Sequence, residues 1–263
     1  MAPTATAQRP SAPMDPRISE RRRQVGARRR RRWLTAALAV AVVVAFGVAG
    51  WNLLHSRVLA ARVVTVAGSV HTPAAAVVQQ AGLADHPPLL DVDPAAVAAR
   101  LEALPWVAGA TVTRQWPDTV HIAITERRPV AVVPGHQPNT FAEVDASGRV
   151  VALVASAPAG LVHLVVPAVA GPPGTTLGAS AAPALQVAAT LPAALAGQVV
   201  QVEDEPAGQV VLALSTPVTV ALGTPVQLTA KYEAAAALLA GASLHDGDVI
   251  DVSVPTAPIV TGP

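Results

Sequence analysis

Three patterns of apolar positions succeed one another along the chain. From Trp33 to Leu54, 22 residues pass without a charged side chain. At about 1.5 Å per residue a helix of that length spans roughly 33 Å, enough for a hydrocarbon core of about 30 Å. From Arg62 to about residue 130 the apolar period switches between 2 and 3.6, which predicts the order β-α-α-β-β. Residues 62–67 read as a strand ended by Gly68, and Thr72-Pro73 opens a helix that runs to about Gln80. Asp93-Pro94 opens a second helix with the stripe Val97, Leu101, Leu104, ended by Pro105. Alternating strands follow at 110–114 and 119–126, joined by the turn Trp116-Pro117-Asp118.

The third stretch, 131–255, is richer in strands. A hairpin is predicted from 140–145 and 149–154 around Ala146-Ser147-Gly148. After a Pro/Gly-rich loop (168–178) comes a helix at Pro183–Leu195, then strands at 198–203, 209–214 and 218–222. A helix at Pro225–Leu239 precedes a last strand at Asp248–Val254, stopped by Pro255, and residues 256–263 read as a loose tail. The fold class expected is α+β: a single N-terminal transmembrane helix, a compact first domain over 62–130, and a mixed β-rich domain over 131–255 with a C-terminal edge strand.

Charge sharpens the first pattern. Residues 1–32 carry ten Arg against Asp15 and Glu20, a net +8, while the rest of the chain has eight basic and fifteen acidic residues, a net −7. Arg28, Arg29, Arg30, Arg31 and Arg32 abut the apolar run and read as a topology signal, which places the tail in the cytoplasm and residues 55–263 outside. Trp33 and Trp51 stand at the two ends of the run, where indole rings favour the headgroup level. Eight large apolar residues between them favour insertion by about 3 kcal/mol in sum. Two other readings compete: a nucleic-acid patch for the Arg run, and a cleaved signal peptide ending near Val58-Leu59-Ala60. The apolar run is far longer than the 7–15 residues of a signal sequence, and the Arg run is better explained by topology, so no nucleic-acid partner is expected.

Composition excludes more than it assigns. Half of the residues are hydrophobic (52%) but only 3% are aromatic, so the cores must be built from Ala, Val and Leu. There is no Cys, which removes disulfides and thiolate chemistry. The seven His are scattered without an H-E-x-x-H pair. Asp93 reads as a helix cap, Glu203-Asp204-Glu205 as a solvated turn, and Asp246-Gly247-Asp248 as a turn lacking the rest of a calcium loop. No phosphate loop or nucleophile elbow is present. No catalytic residue, cofactor or metal is expected. Trp106 is expected to pack the helix pair onto the sheet, Arg114 and Glu126 to pair across strands, and Arg127-Arg128 to mark the junction between modules.

Several blocks carry a resemblance. They are Val64-x-Val66-x-Gly68, Leu90-x-x-Asp93, Leu104-Pro105-Trp106-Val107, Val112-x-Arg114-x-Trp116-Pro117-x-Thr119, and Ile124-x-Glu126-Arg127-x-Pro129-Val130-Ala131. At these residues the chain resembles the FtsQ/DivIB family of bacterial cell-division proteins. The likeness continues more diffusely through Val144-Asp145-x-x-Gly148, Leu222-Gly223, Lys231-Tyr232 and Ile250–Pro255. It implies that residues 62–130 form a POTRA domain, a module that docks other polypeptides, followed by the family's β-rich domain. It also implies a non-catalytic scaffold in the cell membrane at the division septum. The implied partners are small coiled-coil division proteins of the FtsB/DivIC and FtsL types, linked through them to the septal peptidoglycan synthases. The docking residues expected are Lys231, Tyr232, Ile250, Asp251, Val252, Ser253 and Val254, on or beside an exposed sheet edge. A membrane-anchored envelope hydrolase or sensor remains the alternative.

Overall fold

The computed structural model describes residues 16–54, 59–167 and 169–262, with the backbone alone for 16–31. Helix α1 is continuous over Pro16–Leu54, 39 residues, so the Arg28–Arg32 run continues the helical backbone of the apolar span. Pro16 stands at its first position, where a missing N–H costs nothing. Among the described residues Arg32–Leu54 is the one stretch long and apolar enough to cross a membrane, and none of it is buried in the protein. Its polar side chains are satisfied within the helix: Thr35 Oγ1 donates to Arg32 O (2.9 Å) and Asn52 Nδ2 to Val48 O (2.9 Å). The segment fits a single-pass membrane anchor.

The first module follows the predicted order: β1 (Val63–Ala67), α2 (Ala74–Gln80), α3 (Pro94–Glu102), β2 (Val107–Gln115) and β3 (Thr119–Glu126). β3 is central, parallel to β1 and antiparallel to β2. Val77, Val97 and Leu101 from the helices meet Val107, Val112, Val120, Ile122 and Ile124 in one core. Asp93 caps α3 by accepting the N–H of Ala95 (2.9 Å). Pro73, rather than Thr72, occupies the cap position of α2, and it makes no side-chain cap bond.

Two expectations for this module fail. Arg114 lies opposite Val120 and Glu126 opposite Val107, at far ends of the strand pair, so no cross-strand ion pair forms. Arg114 instead donates to Leu90 O (3.1 Å). Glu126 accepts from the amides of Val70 (2.7 Å) and His71 (2.8 Å) and meets His71 Nδ1 at 2.7 Å. Burial alone would raise its pKa, but these bonds from His71 and Val70 hold it below the ordinary value. Gly68 makes the turn possible: its φ is +80°, and a Cβ there would collide with the carbonyl of Ile124. Trp106 is half-buried rather than central to the core, stacked on His71 at 3.9 Å.

The second module is a nine-stranded sheet in the order β12-β11-β10-β9-β8-β7-β4-β5-β6. Its strands are β4 (Pro129–Pro134), β5 (Phe141–Asp145), β6 (Val150–Val154), β7 (Val162–Val165), β8 (Val199–Glu205), β9 (Gln209–Leu214), β10 (Thr219–Gly223), β11 (Val249–Asp251) and β12 (Ile259–Thr261). Helices α4 (Ala182–Thr190), α5 (Ala193–Ala196) and α6 (Leu228–Gly241) complete it. The predicted helix 183–195 breaks because Leu191 must be extended before Pro192. β7 is an unpredicted strand. β8 runs on through Glu205, so Glu203-Asp204-Glu205 is strand rather than turn, and Asp204 Oδ1 is buried without a partner. The last predicted strand shortens to Val249–Asp251, because Asp251 Oδ1 accepts the N–H of Ser253 (2.8 Å) and Val254 O that of Ala257 (3.0 Å). The chain therefore turns back, and the expected loose tail supplies β12, antiparallel to β11.

The two modules are stitched where Arg127-Arg128 was expected to mark their boundary. Arg127 Nη1 donates to Asp145 Oδ2 (2.7 Å), and Arg149 Nη2 to Ala103 O (3.0 Å).

Candidate partner-docking edge

The sheet ends on one side at β10, β11 and β12, and helix α6 packs against β10. Two side chains fix α6 there. Lys231 lies in its first turns, an unfavourable place for a cation beside the positive end of the helix dipole. It is nonetheless only 2% exposed, and its Nζ donates to Leu222 O and Thr224 O, both at 2.8 Å. Burial lowers its pKa, opposed by the charge of Asp251. Tyr232 donates to Val187 O (3.1 Å) and meets Thr190 Oγ1 (3.1 Å), which ties α6 to α4. Burial raises its phenol pKa, against the bond from Thr190.

The structure thus brings the expected docking residues together but turns most of them inward. Lys231, Tyr232, Ile250 and Val252 are buried and hold the sheet end in place. Asp251 is half-buried, and only Ser253 and Val254 are exposed. β11 is not the edge either: it is sandwiched between β10, in parallel register, and β12. The edge is Ile259-Val260-Thr261, every side chain of which is exposed. Its outer side carries no strand among the described residues. An edge with free N–H and C=O groups is a template for another chain.

The edge is too short for its period to show in the sequence, yet it carries a signal: three β-branched residues between Pro258 and Gly262. Beside it, an open groove of about 670 Å³ runs between the start of α6 and the turn after β11, lined by Gln227, Leu228, Thr229, Glu233, Pro255 and Thr256. Val226 and Val254 add exposed apolar surface near its rim. Such a groove can take the apolar side chains of an added segment, while the edge takes its backbone.

On the membrane side, Trp33 and Trp51 are exposed on α1, 18 residues and therefore about 27 Å apart. Arg32 is exposed; the side chains of Arg28–Arg31 lie outside the described residues, as does all of 1–15.

Comparison with known proteins identifies the first module and relates the whole chain to one family. The family profile for the FtsQ-type POTRA domain matches residues 59–127. A cell division protein FtsQ of Streptomyces bingchenggensis is 34% identical over 243 residues, covering 91% of this chain and 89% of that protein. The FtsQ protein of Mycolicibacterium smegmatis is likewise 34% identical over 226 residues, covering 86% of this chain and 63% of its own length. Among solved structures, the major extracytoplasmic domain of the division protein DivIB of Geobacillus stearothermophilus matches 45% of this chain and 99% of its own, at 23% identity and a TM-score of 0.31.

Proposed function

This chain belongs to the FtsQ/DivIB family of bacterial cell-division proteins, and we propose that it acts there as a non-catalytic scaffold that captures a partner's strand on β12. In this reading α1 holds the protein in the cell membrane at the septum, with the Arg-rich end in the cytoplasm, where the excess of Arg on one flank favours it. Residues 59–263 then face outward. The partner is a small coiled-coil division protein of the FtsB/DivIC or FtsL type, and through it the septal peptidoglycan synthases are engaged. The observation that supports the reading is the outer side of β12, open among the described residues, on a strand held by backbone pairing on its other side and with every side chain exposed.

Ser253 and Val254 flank the edge and can touch the incoming segment. Lys231, Tyr232, Ile250, Asp251 and Val252 serve capture by holding β10 and β11 in place. The test is capture of the organism's coiled-coil division proteins by the full chain in lipid nanodiscs, beside Val260→Pro. Proline removes a donor and cannot sustain the added ladder. Capture should fall at least about tenfold, equivalent to roughly 1.4 kcal/mol. Undiminished capture by the variant would remove β12 from the reading.

A further inference from the structure

The end of the POTRA module where the chain arrives from the membrane is assembled from four segments. The N–H of Ala61 donates to Pro87 O (2.8 Å), Ala60 bridges Pro88, and His86 Nδ1 meets Ala61 O (2.9 Å). Ala60 and Ala61 are consequently buried and fixed. The amides of Arg62 and Val63 both donate to Asp118 O (2.9 and 3.2 Å), which sets the turn between β2 and β3 beside the entering chain. Arg114, through Leu90 O, draws the 89–91 turn to the same place.

Residues 55–58 alone separate the end of α1 from Leu59. At no more than about 3.3–3.6 Å per residue, Leu59, where the chain enters this end of the module, cannot lie farther than roughly 20 Å from the end of the apolar span. Three large apolar side chains are exposed on it: Trp116 (50%), Val63 (47%) and Leu90 (38%). Two Arg (62 and 114) stand among three Asp (85, 91 and 118), so the end is not a basic patch.

We propose that this end is a second membrane contact, with Trp116 seated in the headgroup layer of the bilayer that α1 crosses and with Leu90 and Val63 beside it. The indole supplies the amphipathic body and N–H that the interface favours. The contact is apolar rather than ionic, so it needs no anionic lipid and resists salt. It fixes how the module, and the sheet that follows it, stands over the membrane. It goes beyond the scaffold reading and does not depend on any partner.

The test uses the full chain in phosphatidylcholine vesicles, with and without lipid brominated near the top of the acyl chains. In a Trp33→Phe/Trp51→Phe background the emitters are Trp116 and Trp106. Trp106 precedes the other end of the nine-residue β2, ten residues and about 30 Å from Trp116, so it serves as the unquenched control. Brominated lipid should remove about half of the emission, equally at about 0.05 and about 0.5 M salt. Adding Trp116→Phe should abolish the quenching. No quenching in the background, or quenching that survives Trp116→Phe, overturns the proposal. So does a Trp116 shielded from aqueous acrylamide yet untouched by brominated lipid, the signature of cover by a second copy. The chain has no cysteine, so single spin labels give an independent measurement. A label at Leu90→Cys should collide more with oxygen dissolved in lipid than with an aqueous nickel complex, and one at Val70→Cys, at the far end of the module, the reverse. Aqueous exposure of both labels overturns the proposal.

Discussion

The nine-stranded sheet treats its two outer strands in opposite ways. β6 is long for an edge and buries Val150 and Val151. The loop after β7 runs along its start: Gly174 N donates to Val150 O (2.7 Å), Val150 N to Thr175 O (2.8 Å), and Leu177 N to Gly148 O (2.8 Å). At its foot Asp145 accepts from the N–H and Oγ of Ser147, the N–H of Arg149 and the guanidinium of Arg127. β12 at the other end has three residues, all with exposed side chains, and no outer neighbour among the described residues. One edge is thus closed by the chain itself and bound to the POTRA module. The other is left as an unpaired ladder, which natural sheets normally avoid. The difference marks which edge the chain covers itself and which it leaves open among the described residues, and so where the proposed capture would occur.

The closed edge should be the costly one to disturb. Asp145→Ala leaves the largely covered Arg127 side chain, 16% exposed, without its carboxylate, while its Nε, buried, already lacks a partner. Breaking such a pair costs about 3–5 kcal/mol, readable as a lower urea midpoint. The same carboxylate sets an acid limit. Burial would raise its pKa, but the bonds from Ser147, Arg127 and Arg149 together hold it below the usual 3.8. The unfolded state therefore binds the proton more readily, so stability rises with pH in this range. The contribution is complete above the unfolded value and is lost as pH falls through the folded one. Unfolding followed from about pH 6 to about pH 3 should show a drop below pH 4 that Asp145→Asn flattens.

A middle-sized effect separates support from docking at the open end. Lys231→Met keeps the apolar stem but strips the donor from Leu222 O and Thr224 O. The buried carbonyl of Leu222 and the more accessible one of Thr224, left short of a donor and partly offset by the relief of burying a charge, cost about 1–3 kcal/mol. Unfolding in urea measures it; an unchanged midpoint would return Lys231 to the surface role that sequence suggested for it.

How much could be read beforehand follows from the same contrast. The POTRA module was legible because each element carries its own punctuation: Asp93-Pro94, Gly68, and clean alternation at 119–126. Position within an element did not carry over to pairing. Arg114 and Glu126 share neighbouring strands, but register sets them at opposite ends, and register depends on the turn as a whole. Trp106 reads as the residue that packs the helix pair onto the sheet, although stacking on His71 satisfies the ring just as well. Lys231 reads as exposed because free carbonyls that could receive it are made only by the turn after β10. Strands as short as β11 and β12 hold too few residues for a period to show. The proposed docking edge is therefore the least legible part of the sheet, since a three-residue strand with every side chain exposed cannot advertise a buried face.

The smallest effect on stability is expected where the largest effect on capture is proposed. Val260→Pro disturbs a three-residue strand whose side chains are all exposed, so it loses backbone pairing that water readily replaces. Its midpoint in urea should stay within about 0.5 kcal/mol of the parent. Hydrogen exchange makes the contrast residue by residue. In the free protein the amides of β12 should exchange as fast as frayed termini, while Val150, which donates to Thr175 O in the covering loop, should be among the slow ones. Adding the coiled-coil partner should slow exchange at 259–261 and leave Val150 unchanged. Slow exchange at β12 in the partner-free protein would mean that the edge is already closed, and the two ends of the sheet would then differ in length alone.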